Sequence, residues 1–267
     1  MKKLLCAFTA LLMTFSLLGC SKKEEKGEFT VAKGKLKVAA EIGYPPFEYY
    51  DEDGVTPIGF DMELARIIAD RLGLEVELID VAWDGIFAGL DTDRYDLVMS
   101  AATITPERVE NYYFSQPYIG NGQSIILRKD STLEISSPAD LEGLLVAYQA
   151  ETTSDFFVEK QMAAGLQCNL AEYDKVMNAY DDLRLERVDA VVSDYLVAVS
   201  YLGVPDTQFK CVWQGTADEY FGVCMKKGND TLRDKVNQVI DQLKADGTMK
   251  QLYVDIFGVD LSDTITN

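Results

Sequence analysis

From Lys35 onward the sequence alternates between strand and helix patterns, and this alternation constrains the fold more than any other feature. Three short apolar runs predict strands, at 36–40, 74–79 and 95–99. The first two enclose a segment with apolar residues at helical spacing that ends at Gly73, and 83–90 predicts a second, short helix. This βαβαβ order predicts a parallel sheet flanked by helices, with ligands bound at the carboxyl ends of its strands.

The segment from Ser100 to Arg108 follows the third predicted strand and begins a helix. Thr105 and Pro106 are typical of an N-cap and of the first helical position. A cation so close to a helix N-terminus opposes the macrodipole by about 0.3–1 kcal/mol, so Arg108 calls for an anionic partner. The hydroxyls of Ser100 and Thr103, free N–H groups and the guanidinium together favour a bound carboxylate. The alternative is an ion pair between Arg108 and a neighbouring surface glutamate.

A second α/β unit follows the glycine-rich segment 118–122, which suits a crossing between two lobes. Its predicted strands are 144–148, 168–172, 189–193 and 209–213, and its predicted helices are 152–165 and 176–186. A strand at 220–225 is predicted to return to the first unit, and helices at 231–245 and 248–257 close the fold. Two α/β lobes with two crossings would form a hinged clamshell.

Composition excludes several classes of function. The chain contains no histidine, which excludes Ser-His-Asp and Cys-His catalysis and every histidine-based metal site. Its net charge of −19 argues against a nucleic-acid partner. The cysteines contain no C-x-x-C pair, so no zinc or redox motif is expected. If one disulfide forms in the folded part, we expect it to join Cys211 and Cys224.

The first residues have the pattern of an export signal. Lys2 and Lys3 precede an apolar run that ends at Leu18, and a polar segment follows Cys20. This pattern resembles a bacterial lipoprotein signal in which Cys20 is lipidated, and a plain secretory signal is the alternative. We therefore expect a signal peptide at 1–19, a flexible tether at 20–34 and a lipid anchor on the outer face of the cell membrane.

Nearly all of the chain after Lys35 resembles the substrate-binding proteins of polar amino-acid ABC transporters, which form family 3 of the bacterial solute-binding proteins. The pieces that carry the resemblance are 44–48, 59–64, 83–86, 95–96, 100–108, 113–118, Gln149 with 152–153, and 246–248. The resemblance implies an α/β, periplasmic-binding-protein-like (type II) flytrap with a ligand cleft between two lobes. It implies hinges near Gly120 and Tyr220, a first lobe of 35–120 plus 220–267, and a second lobe of 121–219.

The resemblance also implies which residues contact the ligand: Arg108, Asp194, Glu41, Tyr44, Trp83, Ser100, Ala101, Thr103 and Thr152. In the family, Arg108 would bind the ligand α-carboxylate with help from Thr103 and Thr152. Asp194 and Ser100 would receive the α-ammonium. Two departures stand out, since Ala101 replaces a serine of some relatives and Glu151 replaces the glycine common before Thr152.

The aromatic side chains of Tyr44 and Trp83 would enclose the ligand's side chain. The charge of Glu41 would then determine which type of side chain is preferred. The alternative is that Glu41 is a surface carboxylate. If Glu41 faces the cleft, burial without a partner would cost several kcal/mol, whereas a basic side chain on the ligand would satisfy the carboxylate. Cation–π contacts with the two rings would add about 0.5–2 kcal/mol. We therefore expect lysine or arginine as the ligand, with glutamine or another polar neutral amino acid as the alternative. Glu48 is expected to be structural or to face solvent.

The resemblance predicts a monomeric, non-enzymatic binding protein without cofactor or metal. Capture would occur by closure of the second lobe onto a ligand docked on the first. The sequence contains no P-loop and no second apolar run, so the permease and the ATPase are expected to be separate subunits. A dehydratase-like enzyme and a ligand-sensing domain on the same fold are the alternatives from other classes.

Overall fold

The computed structural model of the protein describes residues 25–265. The predicted signal peptide at 1–19 and the lipidation at Cys20 lie outside these residues. The strands are β1 (Lys35–Ala40), β2 (Tyr49–Tyr50), β3 (Pro57–Ile58), β4 (Glu75–Asp80), β5 (Leu97–Val98), β6 (Tyr112–Phe114), β7 (Ile119–Asn121), β8 (Gln123–Arg128), β9 (Leu145–Gln149), β10 (Asn169–Tyr173), β11 (Ala190–Asp194), β12 (Phe209–Gln214), β13 (Glu219–Phe221) and β14 (Cys224–Lys226). The helices are α1 (Phe60–Arg71), α2 (Ala88–Asp91), α3 (Pro106–Asn111), α4 (Thr153–Ala163), α5 (Val176–Arg184), α6 (Tyr195–Leu202), α7 (Asp230–Ala245) and α8 (Thr248–Phe257).

The first sheet has the strand order β4-β1-β5-β14-β6. Strand β1 is parallel to both β4 and β5, as the βαβαβ pattern predicts, and β14 returns antiparallel between β5 and β6. Helix α1 turns Leu64 and Ile68, one helical turn apart, into a fully buried core that also holds Val236 and Ile240 of α7. This packing covers the sheet and leaves the carboxyl ends of β1 and β5 free for a site.

The second sheet has the strand order β10-β9-β11-β8-β12. Strand β9 is parallel to β10 and β11, and β8 is antiparallel to β11 and β12. Successive residues of β8 serve opposite faces, since Ile125 and Leu127 pack in one hydrophobic cluster and Ile126 packs in the other. The three central strands β9, β11 and β8 are buried, which explains the continuous apolar runs within them in the sequence.

The chain crosses between the two sheets through an antiparallel pair, β7 and β13, in which Gly120 lies opposite Tyr220. The two positions at which the resemblance implies hinges are therefore neighbours in space. The C-terminal turn Ser262–Ile265 packs on β7, where the N–H of Gly120 donates to Oγ1 of Thr264 at 2.9 Å. A Cβ atom at position 120 would lie 2.2 Å from the carbonyl oxygen of Thr264, so this crossing requires glycine.

The structure corrects two predicted segments. The helix predicted at 83–90 is wrong in extent, because Gly85 adopts a left-handed φ of 76° and regular helix begins only at Ala88. The tether predicted at 20–34 is too long. Thr30 and Ala32 are buried, and the N–H of Val31 donates to Asp96 at 2.6 Å, so the chain is already packed on the first lobe there.

The predicted disulfide between Cys211 and Cys224 is wrong. Both are free thiols, as is Cys168. Cys211 lies on β12 of the second sheet opposite Ile126, whereas Cys224 lies on β14 of the first sheet opposite Val98. The two sulfurs belong to different lobes, which is why chain spacing alone was a poor guide.

Candidate functional site

The candidate site lies where the carboxyl ends of strands from both sheets face each other. Glu41 directly follows β1 and Ser100 lies two residues after β5, while Gln149 and Asp194 are the last residues of β9 and β11. These side chains line a cavity of about 290 Å³.

The cavity brings together all of the ligand-contacting residues that the resemblance implied. Its lining consists of Glu41, Tyr44, Trp83, Ser100, Ala101, Thr103, Arg108, Gln149, Thr152, Thr153 and Asp194. Gln149 and Thr153 were not among the residues predicted to contact the ligand. Both lie in one of the sequence pieces that carry the resemblance. An amide or a hydroxyl in such a piece can either line the cavity or support its wall, and the sequence pattern does not distinguish these two roles.

Arg108 is aimed into the cavity by the start of α3. Thr105 is the N-cap of this helix and accepts the backbone N–H of Arg108 on its hydroxyl at 3.2 Å, while Pro106 occupies the first helical position. The guanidinium donates to the carbonyl oxygens of Thr103 at 3.0 Å and Glu151 at 3.4 Å. These two acceptors use only part of the five-donor fork of an arginine.

The charge of Arg108 has no local counter-ion. The side chain is buried, and no carboxylate of residues 25–265 lies within 4.0 Å of the guanidinium, which excludes the predicted alternative of a surface pair with a neighbouring glutamate. Instead it lies 5.2 Å from the ring centre of Trp83 and 5.0 Å from that of Phe87. Burial lowers the pKa of Arg108, and the charge of Asp194 is among those that oppose this shift. A buried arginine without a carboxylate suits an anionic ligand group.

Asp194 supplies the opposite charge from the second lobe. Its Oδ1 accepts from the amides of Asn121 at 2.8 Å and Gln123 at 2.9 Å, and its Oδ2 accepts from the hydroxyl of Tyr44 at 2.6 Å. All three donors are neutral. Burial raises the pKa of Asp194 to about 7, with the charge of Glu219 as the next cause. A cation in the cavity would stabilise the ionised form of this carboxylate.

The two aromatic side chains of the predicted site are buried walls of the cavity. Tyr44 follows β1, and its ring contacts Phe47 in the core at 6.5 Å between centroids. Trp83 packs edge to face on Phe87 at 5.4 Å, and its indole N–H donates to the carbonyl oxygen of Glu151 at 3.1 Å. Both rings are therefore held by their polar ends as well as by packing.

The loop after β5 is supported by two carboxyl groups behind it. The hydroxyl of Ser100 donates to Oε1 of Glu48 at 2.7 Å, and the N–H of Ala101 donates to Oδ2 of Asp61 at 2.7 Å. Ala101 has a left-handed φ of 46°, a conformation that non-glycine residues seldom adopt without support. Glu48 was expected either to be structural or to face solvent. It does not face solvent, because its side chain is fully buried.

The second lobe contributes the segment that begins α4. Thr152 is the N-cap residue, but its hydroxyl donates to the carbonyl oxygen of Gln149 at 2.7 Å instead of capping the helix. The hydroxyl of Thr153 donates to Glu219 at 2.8 Å. Glu151 adopts a left-handed φ of 60°, which is the conformation expected of the glycine that it replaces relative to the family.

Glu41 is a buried carboxylate at the wall formed by both lobes. Its Oε2 accepts from the amide of Gln149 at 2.7 Å. Lys175 lies close enough to lower the pKa of Glu41, but its ammonium donates to the carbonyl oxygen of Ile42 at 3.0 Å. Burial is the largest influence and raises the pKa of Glu41. No described residue forms an ion pair with Glu41 within 4.0 Å, so the cavity wall carries an unneutralised acid.

The cleft is closed in this structure, since many side chains bridge it. The contacts between the lobes are Tyr44 to Asp194, Glu41 to Gln149, Ile42 to Lys175, Trp83 and Arg108 to Glu151, and Thr103 to Thr153. Among the described residues, no helix is both long and apolar enough to cross a membrane.

Comparison with known proteins identifies close similarity along the whole folded part. The family model described as bacterial extracellular solute-binding proteins, family 3, matches residues 36–259. The L-cystine-binding protein TcyJ of Escherichia coli (strain K12) is 33% identical over 86% of this chain and 85% of its own length. A probable amino-acid ABC transporter-binding protein of Haemophilus influenzae is 34% identical over 98% of this chain and 100% of its own.

Solved structures show the same similarity. An ancestral arginine-binding protein bound to arginine has a TM-score of 0.79 and 37% identity, over 85% of this chain and 99% of its own. An ancestral arginine-binding protein bound to glutamine has the same TM-score, identity and coverage. A two-lobed amino-acid-binding fold is thus common to this chain and to these structures.

Proposed function

The chain belongs to the bacterial extracellular solute-binding proteins, family 3, and we propose that its ligand is a free basic amino acid, arginine or lysine, which it delivers to an ABC importer. Relatives of this chain serve amino-acid ABC transporters, and family membership supports the same general function, amino-acid capture, for this protein. The proposal goes beyond this general function in naming the amino acid that is bound. It is supported by the charges that line the closed cavity.

The main-chain end of the ligand lies between Arg108 and Asp194 in this proposal. A free amino acid carries one carboxylate and one ammonium, and the cavity offers one buried cation and one buried acid from opposite lobes. Each side chain is already oriented by neutral hydrogen-bond partners. The ligand therefore meets preorganised charges, and closure places both in a gap where water does not screen them.

The side-chain end of the ligand faces Glu41, and this is the observation that carries the preference for a basic amino acid. Once Arg108 and Asp194 are neutralised by the zwitterion, Glu41 remains as a buried acid whose hydrogen-bond donor is the neutral amide of Gln149. A guanidinium or ammonium on the ligand would remove that imbalance. The rings of Tyr44 and Trp83 would flank its aliphatic part.

Glutamine is the second candidate, and three observations favour it. The amide of Gln149 lines the cavity and could pair with a ligand amide, and Lys175 offsets part of the charge of Glu41. The ancestral protein that resembles this chain is also described with glutamine bound. The preference between the two ligands thus depends on how completely Lys175 compensates Glu41.

Closure is the mechanism that we propose for capture. The ligand would dock on the first lobe (35–120 plus 220–267) through Arg108, Tyr44 and Trp83, and the second lobe (121–219) would then bring in Asp194 and Thr152. The paired crossing strands would act as the hinge. The closed, liganded form would be recognised by a separate permease. Lipidation at Cys20 would hold the protein at the outer face of the membrane.

Calorimetry with arginine, lysine, glutamine, cystine and glutamate tests the ligand proposal. We expect arginine or lysine to bind most tightly. Substitution Glu41→Gln removes the charge but keeps the shape, and it should weaken arginine by about 2–3 kcal/mol, or roughly 30–150-fold. Glutamine binding should change by less than about tenfold. The exposed control Glu52→Gln should change neither.

Tight binding of glutamate would contradict the proposal, and so would an equal loss of arginine and glutamine affinity in Glu41→Gln. Tightest binding of cystine would keep the transport function and overturn the basic ligand. Turnover of prephenate or arogenate would favour the enzymatic alternative, in which Glu41 or Asp194 would act as a general acid. We expect no turnover.

A further inference from the structure

The acid Glu219 lies on the crossing strand β13, behind the residues that line the ligand cavity. Its side chain is half-buried, and no lysine or arginine of residues 25–265 lies within 4.0 Å of its carboxylate. Its hydrogen-bond donors are neutral, namely the amide of Gln123 at 3.0 Å and the hydroxyl of Thr153 at 2.8 Å. Glu219 therefore acts on neutral side chains and not through an ion pair.

The amide of Gln123 links Glu219 to Asp194. Its Nε2 donates to Oδ1 of Asp194 at 2.9 Å and to Oε1 of Glu219 at 3.0 Å. An amide nitrogen has two hydrogens, which is one for each carboxylate. The carbonyl oxygen of the same amide accepts from the hydroxyl of Ser154 at 2.8 Å. A flipped amide would turn this acceptor oxygen toward two carboxylates, so Glu219 and Asp194 together fix the orientation in which Gln123 donates.

The two crossing strands hold the carboxylate of Asp194 by different routes. Glu219 of β13 lies opposite Asn121 of β7. The amide of Asn121 donates to Oδ1 of Asp194 at 2.8 Å, and its carbonyl oxygen accepts the N–H of Leu196 at 3.2 Å. Asp194 is therefore oriented directly by one crossing strand and, through the amide of Gln123, by the other.

This arrangement belongs to one side of the cleft and to the crossing strands. Gln123 lies opposite Asp194 in the antiparallel pair of β8 and β11. Tyr44, in contrast, reaches Asp194 from across the cleft. The contacts of Gln123 with the two carboxylates therefore do not need the closed cleft, and they orient Asp194 before a ligand is enclosed.

We propose that Glu219 is a positioning residue for the ammonium end of the ligand. Through the amide of Gln123 it holds the carboxylate of Asp194 in the orientation that receives an α-ammonium. The arrangement of these side chains stands apart from any ligand, whereas its effect on ammonium binding rests on the proposed function. Without Glu219 the amide loses one of the two carboxylates that fix its orientation, and the ligand meets a less ordered acceptor.

Calorimetry with the amino acid that binds best, and with its analogue that lacks the α-amino group, tests this role. Burial and the charge of Glu219 raise the pKa of Asp194 to about 7, so the titrations are made at pH 8, where Asp194 is mostly ionised. Glu219→Ala should weaken the parent amino acid at least about tenfold and the deaminated analogue less than about threefold. Loss of the contact with Thr153 affects both ligands and cancels in this comparison.

Two further variants separate orientation from charge. Glu219→Gln keeps an acceptor oxygen for Gln123 and removes the charge, and it should bind the parent amino acid within about threefold of wild type. The control Asp218→Ala removes the adjacent, exposed carboxylate and should bind both ligands as the wild type does. Equal losses in Glu219→Gln and Glu219→Ala would show that charge acts and not orientation. An equal loss of both ligands in Glu219→Ala would show a general defect of the site, and either result overturns the proposal.

A ligand-free measurement decides the positioning role even if the wild type binds no amino acid, an outcome that would refute the proposed function. The side-chain amide of Gln123 gives nuclear magnetic resonance signals that are assigned by their loss in Gln123→Leu. Exchange of its two hydrogens with solvent should be at least about tenfold faster in Glu219→Ala than in wild type, and within about threefold of wild type in Glu219→Gln. Unchanged exchange in Glu219→Ala would contradict the hold of Glu219 on this amide.

Discussion

The unpaired charge of Arg108 leads to an unusual expectation, namely that its removal abolishes ligand binding without destabilising the empty protein. The substitution Arg108→Met keeps an aliphatic stem against Trp83 and Phe87 and removes the guanidinium. Arg108→Lys is the matched variant, because it keeps the charge but loses the planar fork. The two variants separate the contribution of charge from the contribution of geometry.

The loss of affinity follows from the free donors of the guanidinium. Two charge-assisted hydrogen bonds to a ligand carboxylate contribute about 1.5–3 kcal/mol each, so Arg108→Met should weaken binding by about 3–6 kcal/mol, or roughly 10²–10⁴-fold. Arg108→Lys keeps a point charge and should lose roughly 10–100-fold.

In the empty protein, two opposing effects nearly cancel. The bonds to the carbonyl oxygens of Thr103 and Glu151 are lost, at about 0.5–1.5 kcal/mol each. The cost of burying an unpaired cation, several kcal/mol, is relieved at the same time. Urea unfolding of ligand-free Arg108→Met should therefore give a free energy of unfolding within about 2 kcal/mol of wild type or above it.

Calorimetry and urea unfolding on the same preparations measure both quantities. A large fall in the stability of empty Arg108→Met would show that Arg108 serves the fold instead of the ligand. Retained affinity in a folded Arg108→Met would refute the assignment of the carboxylate to this residue. Equal affinities for Arg108→Lys and wild type would refute the importance of the planar fork.

Two further predictions concern the closure of the cleft and the packing of the crossing strand β7. Burial raises the pKa of Asp194 to about 7 in the closed form, whereas a solvated aspartate titrates near 3.9, so closure without ligand is favoured as pH falls below about 7. The scattering radius of the ligand-free protein should be smaller at pH 5 than at pH 8, and in Asp194→Asn it should change less with pH than in the wild type. Gly120→Ala would place its Cβ 2.2 Å from the carbonyl oxygen of Thr264 and should lower the free energy of unfolding by about 1–3 kcal/mol in urea; an unchanged value would show that the C-terminal turn does not brace the crossing strand.

Much of the fold could be predicted because its strands and helices have simple periodicities. The apolar runs before Glu41 and Ser100 are buried parallel strands, and the helix that was predicted at 248–257 is α8 (Thr248–Phe257). The cap residues Thr105 and Pro106 begin α3 where the sequence placed them. Strand ends at one sheet edge then bring polar side chains together, so most of the cavity lining could be predicted as well.

What the sequence could not supply depends on contacts between distant segments. The amide of Gln149 has no pattern of its own, and its role depends on how the second lobe closes on Glu41. Burial of Glu48 depends on the packing of α1 and of the loop after β5. The lobe to which each cysteine belongs is likewise decided by the sheet topology and not by spacing along the chain.

The central claim is that both ends of a free amino acid are held, by Arg108 from one lobe and Asp194 from the other. It is tested most directly by calorimetry of the wild type with the amino acid that binds best and with two analogues of it. One analogue lacks the carboxylate and the other has an acetylated α-amine. We predict that each analogue binds at least about 100-fold more weakly than the parent. Binding of either analogue with the affinity of the parent would contradict the account.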